Sequence, residues 1–271
     1  MKGMHVPSFP GSDRLGTLIA AVLLPFALTQ VLPPAELPIR LTLGDFFLDS
    51  SLTLIGVMTL LAAGVTATGM DWLIRSHPAL HARQTVEHWL VPTLTTLVLG
   101  IPLAILPAGH SWWLALGLAG LLLAVVFLAE YITVDPTAPA YSVAGGLLTA
   151  LSFAIFLILV SALRAAGPRL IFFAPAVALA SFLIPVRALR LRLRRWEFLW
   201  PLGIAWITVQ LAAAFHYWPL SPLQHGLALL GPLYALTSLA IHLSENLSWR
   251  RAALEPILAI VLAGIAILVL R

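Results

Sequence analysis

The stretch that decides the fold reads WWLALGLAGLLLAVVFLAEY, residues 112–131, in which Glu130 is the only charged side chain. A helix of about 20 residues spans about 30 Å, the thickness of a bilayer's hydrocarbon core. Lipid offers no hydrogen bonds, so every spanning backbone group must be satisfied within the chain, and a helix does this unaided. The rest of the sequence has the same character. Of 271 residues, 61% are apolar and 10% are Asp, Glu, Lys or Arg, where ordinary soluble domains carry about 25% charged residues. A water-facing surface built from this composition would expose large apolar patches. A mean hydropathy of +1.00 agrees. The solvent is mostly lipid.

Sliding a span-length window along the chain gives nine segments: 15–32, 50–70, 89–106, 112–131, 141–163, 170–186, 199–215, 223–243 and 254–270. Segment 170–186 is short and contains Pro175, so eight to ten spans are compatible with the pattern. The fold class is all-α, a polytopic transmembrane bundle occupying residues 1–271 as a single integral membrane domain with no soluble domain. Pro25, Pro92, Pro102, Pro175, Pro201 and Pro232 fall inside the segments. They predict kinked helices, because neighbouring helices can satisfy the freed carbonyls. Small residues at helical spacing (Gly56, Ala63, Gly64, Ala67; Ala259, Ala263) predict close helix packing.

Nine crossings place Lys2, Arg14, Arg75, Arg83, Arg187, Arg190, Arg192, Arg194, Arg195, Arg250 and Arg251 on one side of the membrane. Arg40, Arg164, Arg169 and Arg271 fall on the other. The positive-inside bias therefore puts the N-terminus in the cytoplasm of a bacterial inner membrane and the C-terminus outside. The first segment reads as a retained signal anchor. Eight of nine tryptophans (all but Trp206) lie near segment ends, where an indole suits the headgroup level.

Several chemistries are excluded. There is no cysteine, hence no disulfide or thiolate site. The only lysine is Lys2, so no retinal-type Schiff base can form within a span. Walker, Gly-x-Ser-x-Gly and phosphatidyl-transferase motifs are lacking, and the sequence assigns no cofactor. Glu130, His216, His242 and Glu255 read as near enough to span ends to reach water, leaving Gln210 as the one large internal polar side chain. Such an interior argues against ion coupling.

The polar feature with most pattern lies at residues 71–88. A helix starting at Ser76 or His77, ahead of Pro78, would place His77, His81, Gln84 and His88 within an arc of about 60°, on a cytoplasmic interfacial helix. His77 and His81 at i, i+4 are candidate metal ligands; Asp71, Glu87 and His88 are candidate catalytic groups. The same stripe also suits a helix that merely faces headgroups and water. A second feature, the cytoplasmic loop 187–198, holds Arg187, Arg190, Arg192, Arg194 and Arg195. It serves as a topology anchor or as a dock for anionic lipid headgroups.

The stretches Met70-Asp71-Trp72-Leu73-Ile74-Arg75-Ser76-His77-Pro78, Glu130-Tyr131-Ile132-Thr133-Val134-Asp135-Pro136 and His216-Tyr217-Trp218-Pro219-Leu220-Ser221-Pro222 resemble those of an uncharacterised polytopic membrane family of Chloroflexota-type bacteria. The resemblance implies no activity, cofactor or partner. Three readings follow. The leading one is a non-enzymatic structural or accessory subunit of a membrane assembly. The second is a carrier or scramblase for a lipid or hydrophobic small molecule, and the third a membrane-embedded enzyme with a His/Asp/Glu site at the cytoplasmic face. Expected partners are membrane lipids and other membrane subunits, not nucleic acid.

Overall fold

The structure, a computed structural model, describes residues 10–43, 46–80, 85–245 and 248–270. Its helices are α1 (Ser12–Leu28), α2 (Leu54–Arg75), α3 (Leu90–Ile105), α4 (His110–Ile132), α5 (Tyr141–Ala166), α6 (Leu170–Leu193), α7 (Leu199–His216), α8 (Pro222–Ser244), the single turn α9 (Trp249–Ala252) and α10 (Leu254–Val269). Among the described residues, seven helical segments are long and apolar enough to cross a membrane: α2, Val86–Ile105 ending in α3, and α4 to α8. The chain is thus built as a multi-pass helical membrane protein.

Seven such helices stand where the sequence predicts about nine spans. Helix α1 stops at Leu28 rather than Leu32, because Leu32 precedes Pro33-Pro34 and is biased out of the helical region. The Thr29 hydroxyl then donates to the Phe26 carbonyl and closes the last turn. At the other end, α10 has 16 residues. The chain also divides into two compact units, Met1–Tyr141 and Ser142–Arg271, where the sequence reading expects one bundle.

One element is absent from the sequence reading. Strands β1 (Glu36–Leu43) and β2 (Phe46–Thr53) pair antiparallel, with Glu36 opposite Thr53 and Leu43 opposite Phe46. The sequence does carry a signal for it: Ile39, Leu41 and Leu43 alternate with Pro38, Arg40 and Thr42, and Gly44-Asp45 follows. The hairpin hands directly to α2, whose first turn is capped by the Thr53 hydroxyl accepting from the Gly56 N–H.

In unit 1, helices meet through small residues and hydroxyls. A Cβ on Gly100 of α3 would fall 2.4 Å from the Thr59 side chain of α2, so only glycine permits that approach. Further along the same two helices, the buried hydroxyls of Thr66 and Thr96 lie 2.8 Å apart. Replacing Thr66 with Ala is expected to cost about 0.5–1.5 kcal/mol, the range for hydrogen bonds between membrane helices. A reversible unfolding titration in detergent checks it. Of the predicted α2 stripe, Ala63 is buried but Gly64 is exposed; the packing face is Ala62, Ala63, Thr66 and Met70.

Trp112 departs from its expected place at the headgroups. It is fully buried and donates its indole N–H to the Leu103 carbonyl at 3.0 Å. The reason lies in the sequence. A helix would pair that carbonyl with the N–H of residue 107, but residue 107 is proline and has none.

Unit 2 uses the same devices. Helix α8 begins with a reciprocal capping box between Ser221 and Gln224, with Pro222 at its first position. Its Gly231 lies against Ala263 of α10, so the predicted Ala259/Ala263 stripe supplies a packing contact. Pro25, Pro102, Pro175 and Pro232 sit inside helices that continue past them, as a protein-lined membrane interior allows. Pro92 and Pro201 each occupy the third position of their helix, where no intrahelical donor is required. Gln210 lies within α7, as its place inside a span predicts, on that helix's exposed face.

Candidate functional site

A buried polar cluster of unit 1 lies at the end of α4. Glu130 has no exposed surface, and its Oε2 lies 2.8 Å from Nδ1 of His88, itself 3% exposed. His88 ends the 3-10 turn Val86–His88 that leads into α3. Its other ring nitrogen, Nε2, lies 3.7 Å from Oε1 of Glu87. Thr133 donates its hydroxyl to the Glu130 carbonyl at 2.9 Å and lies 3.5 Å from Oε2. The imidazole is therefore flanked by two carboxylates.

The sequence reading placed Glu130 within reach of water, and the structure corrects this. Helix α4 runs on to Ile132, and Tyr131, Thr133 and Val134 are all buried around its end. The legible signal was an acidic residue at the end of a strongly apolar stretch, three positions before a Thr. Burying a lone carboxylate there would cost several kcal/mol. The contact with His88 offsets that cost, since the bond between Nδ1 and Oε2 needs one proton between them, whichever atom holds it.

Residues 71–88 do not form one interfacial helix. Helix α2 continues to Arg75, residues 76–80 turn, and the 3-10 turn begins at Val86. Pro78 forces this: the residue before a proline is pushed out of the helical region. His77 Nδ1 instead accepts from the Ala79 N–H at 3.1 Å. His77 is 5% exposed and packs its ring 4.5 Å from that of Tyr131. His81, the other candidate metal ligand, lies outside the described residues. Among the described residues, no three His, Asp or Glu side chains gather as a metal site. Asp71 is engaged elsewhere, accepting from Arg75 Nε at 2.7 Å and from the Thr85 hydroxyl.

Burial holds the His77 imidazole below its ordinary value of 6.5, with the Asp135 charge pulling the other way and His88 adding to the lowering. A histidine kept neutral by folding binds its proton less readily than in the unfolded chain, so stability falls as pH drops below about 6.5. His77→Gln is expected to flatten that part of the pH–stability curve. Thermal unfolding of both proteins across the acid range checks it; parallel curves would remove His77 as the cause.

The arginine cluster is in unit 2, and most of it is helical rather than loop. Helix α6 extends through Leu193 and takes in Arg187, Arg190 and Arg192, because Arg and Leu are both good helix formers. Arg187 is 2% exposed and so faces protein rather than headgroups. Arg194 closes the helix in the left-handed conformation, with φ of 58°. Arg192 Nε lies 2.6 Å from Glu245, and Arg195 Nε 2.9 Å from Glu197. The Arg190 guanidinium stands 5.5 Å above the Trp196 ring.

No curated protein and no solved structure matches this chain. A family described as "Protein of unknown function (DUF5656)" matches it over residues 32–270. The expectation of an uncharacterised family is met at that level, and the chain belongs to DUF5656.

Proposed function

We propose that this is a nine-crossing protein of a bacterial inner membrane, N-terminus in the cytoplasm and C-terminus outside, carrying a membrane-embedded acid–base site at its cytoplasmic end. Helices α1 and α10 supply the first and last crossings. At 17 and 16 residues they reach about 24–26 Å, and modest bilayer thinning closes the remaining gap. The Lys/Arg bias supports the orientation.

The site consists of Glu130, His88 and Glu87. The observation that carries it is the burial of an ionisable pair, Glu130 and His88, within an apolar helical unit. Intramembrane ionisable residues are expensive and mark proton or ion paths by default. Exposure of the side chains rises along the series, from 0% at Glu130 and 4% at His88 to 17% at Glu87. Imidazole binds a proton at either nitrogen, so a proton accepted at one ring face can leave from the other. The series thus suits transfer between a buried carboxylate and one that meets water.

The accessory-subunit reading rests on small loops, an interior almost free of charge and the lack of an assembled catalytic set, and the burial of Glu130 weighs against the second of these grounds. This favours the reading as an enzyme or proton-handling component, with Glu130 replacing the His77/His81 pair at its centre.

The test separates proton transfer from packing. A paired replacement, His88→Gln with Glu130→Gln, keeps a hydrogen-bonding pair that cannot ionise. In a deletion strain, this variant is expected to reach wild-type membrane levels yet fail to restore the wild-type phenotype. Full restoration would reduce the pair to a packing contact and return the accessory reading to first place.

A further inference from the structure

Unit 2 holds a group of buried polar atoms that the fold leaves unsatisfied. His225, in the first turn of α8, has no exposed surface, and neither of its ring nitrogens has a hydrogen-bond partner among the described residues. The same is true of Nδ1 of His216, at the end of α7, and of the Ser161 hydroxyl of α5. These side chains come together. The Phe173 ring of α6 lies 5.5 Å from that of His225 and 5.7 Å from that of His216. A Cβ on Gly226, the residue after His225, would fall 2.5 Å from the Ser161 hydroxyl oxygen. Native interiors leave few polar groups unpaired, because each then bears the full cost of its desolvation. Orphaned donors and acceptors gathered from three helices call for a ligand.

The charge of the surroundings selects its sign. Arg164 follows Ser161 by about one turn of α5 and donates to the Trp218 carbonyl, just past His216, at 3.3 Å. Phe173 and His225 both stand in the first turn of their helices, so α6 and α8 bring their positive dipole ends to this point. The carboxylate side chains of unit 2, Glu197, Glu245 and Glu255, are elsewhere. Glu197 precedes α7, which ends at His216, and Glu245 follows α8, which begins just before His225. Glu255 meets Tyr234 and His242 further along α8. A cation would face Arg164 with no carboxylate to hold it, whereas an anion finds hydrogen-bond donors.

We infer that this cluster is the binding site of a small monovalent anion, held by His225, His216 and the Ser161 hydroxyl, with Arg164 supplying the opposite charge. Hydrogen bonds to an ionised acceptor are the stronger kind, and they would satisfy the orphaned nitrogens. The full enclosure of His225 favours a single charge, since desolvation becomes steeply more costly with a second. This inference concerns unit 2 alone and is independent of the acid–base site proposed in unit 1.

The experiment is heat unfolding of the full-length protein in detergent, with sodium formate titrated against bulky sodium isethionate at constant ionic strength. The wild-type midpoint is expected to rise by about 3–6 °C at ten times the half-saturating formate concentration. Arg164→Gln is expected to raise that concentration about ten-fold, the loss of a charged partner. His225→Leu replaces the unpaired imidazole with an apolar group of similar size. It is expected to unfold no lower than the wild type in isethionate and to ignore formate. No formate response in the wild type would leave the imidazoles to bound water and overturn the inference. An equal response in His225→Leu or in Arg164→Gln would overturn it too. Repeating the titration with sodium chloride names the anion: a shift with formate alone supports a carboxylate, a shift with both supports any small anion. Stabilisation by zinc sulfate and not by formate, lost in His225→Leu, would make the cluster a metal site and overturn the inference.

Discussion

Glu130→Ala is expected to destabilise the protein by about 3–5 kcal/mol, the cost of breaking a buried ion pair from one side. Glu130 is wholly buried, and its Oε2 is 2.8 Å from His88 Nδ1. Removing it leaves an imidazole in apolar surroundings without that partner and opens a cavity beneath Thr133. His88→Ala is also expected to destabilise, because it leaves the buried Glu130 carboxyl without that hydrogen-bond partner. A double-mutant cycle with both alanines should then fall short of additivity by at least about 0.5 kcal/mol, as coupled neighbours do. Additive losses would mean that the two side chains contribute separately, which would also weaken the proposed site.

Trp112→Ala carries the second large effect, about 3–5 kcal/mol for emptying a buried indole site. Trp112→Phe refines it. The ring volume is largely kept, but the Leu103 carbonyl loses its donor, and Pro107 cannot replace it. An unsatisfied buried carbonyl costs about 1–3 kcal/mol. Trp113, the adjacent residue, is 53% exposed and meets Trp112 edge-on at 5.1 Å. Trp113→Ala should therefore lose at most about 1.5 kcal/mol, the range of an aromatic pair. Unfolding of the three variants in one detergent gives the ranking. Equal losses at positions 112 and 113 would mean that both indoles sit at the headgroup level, as the sequence alone suggests.

The two halves of the sequence resemble one another in outline. Glu87, Pro92, His110, Trp112 and Glu130 recur in order as Glu197, Pro201, His216, Trp218 and Glu245. Pro92 and Pro201 do take the same helical position. The roles around them diverge. His110 opens α4 whereas His216 closes α7, and Glu130 meets a buried histidine whereas Glu245 meets an exposed arginine. Order along a chain preserves helix polarity, but it does not specify which neighbour a side chain meets.

What the sequence determined by itself was the solvent and, from it, the helical class. Hydropathy is a local property summed over a window, and lipid leaves a spanning segment few alternatives to a helix. The proline positions are equally local. The candidates His88 and Glu87 were legible because titratable groups are rare in this chain. Tertiary structure decided the rest. It set the partner of His88, a glutamate 42 residues away, and it turned Trp112 inward. Each of these depends on which helices pack together, and packing in lipid follows close fit between distant residues rather than any gradient of hydrophobicity along the chain.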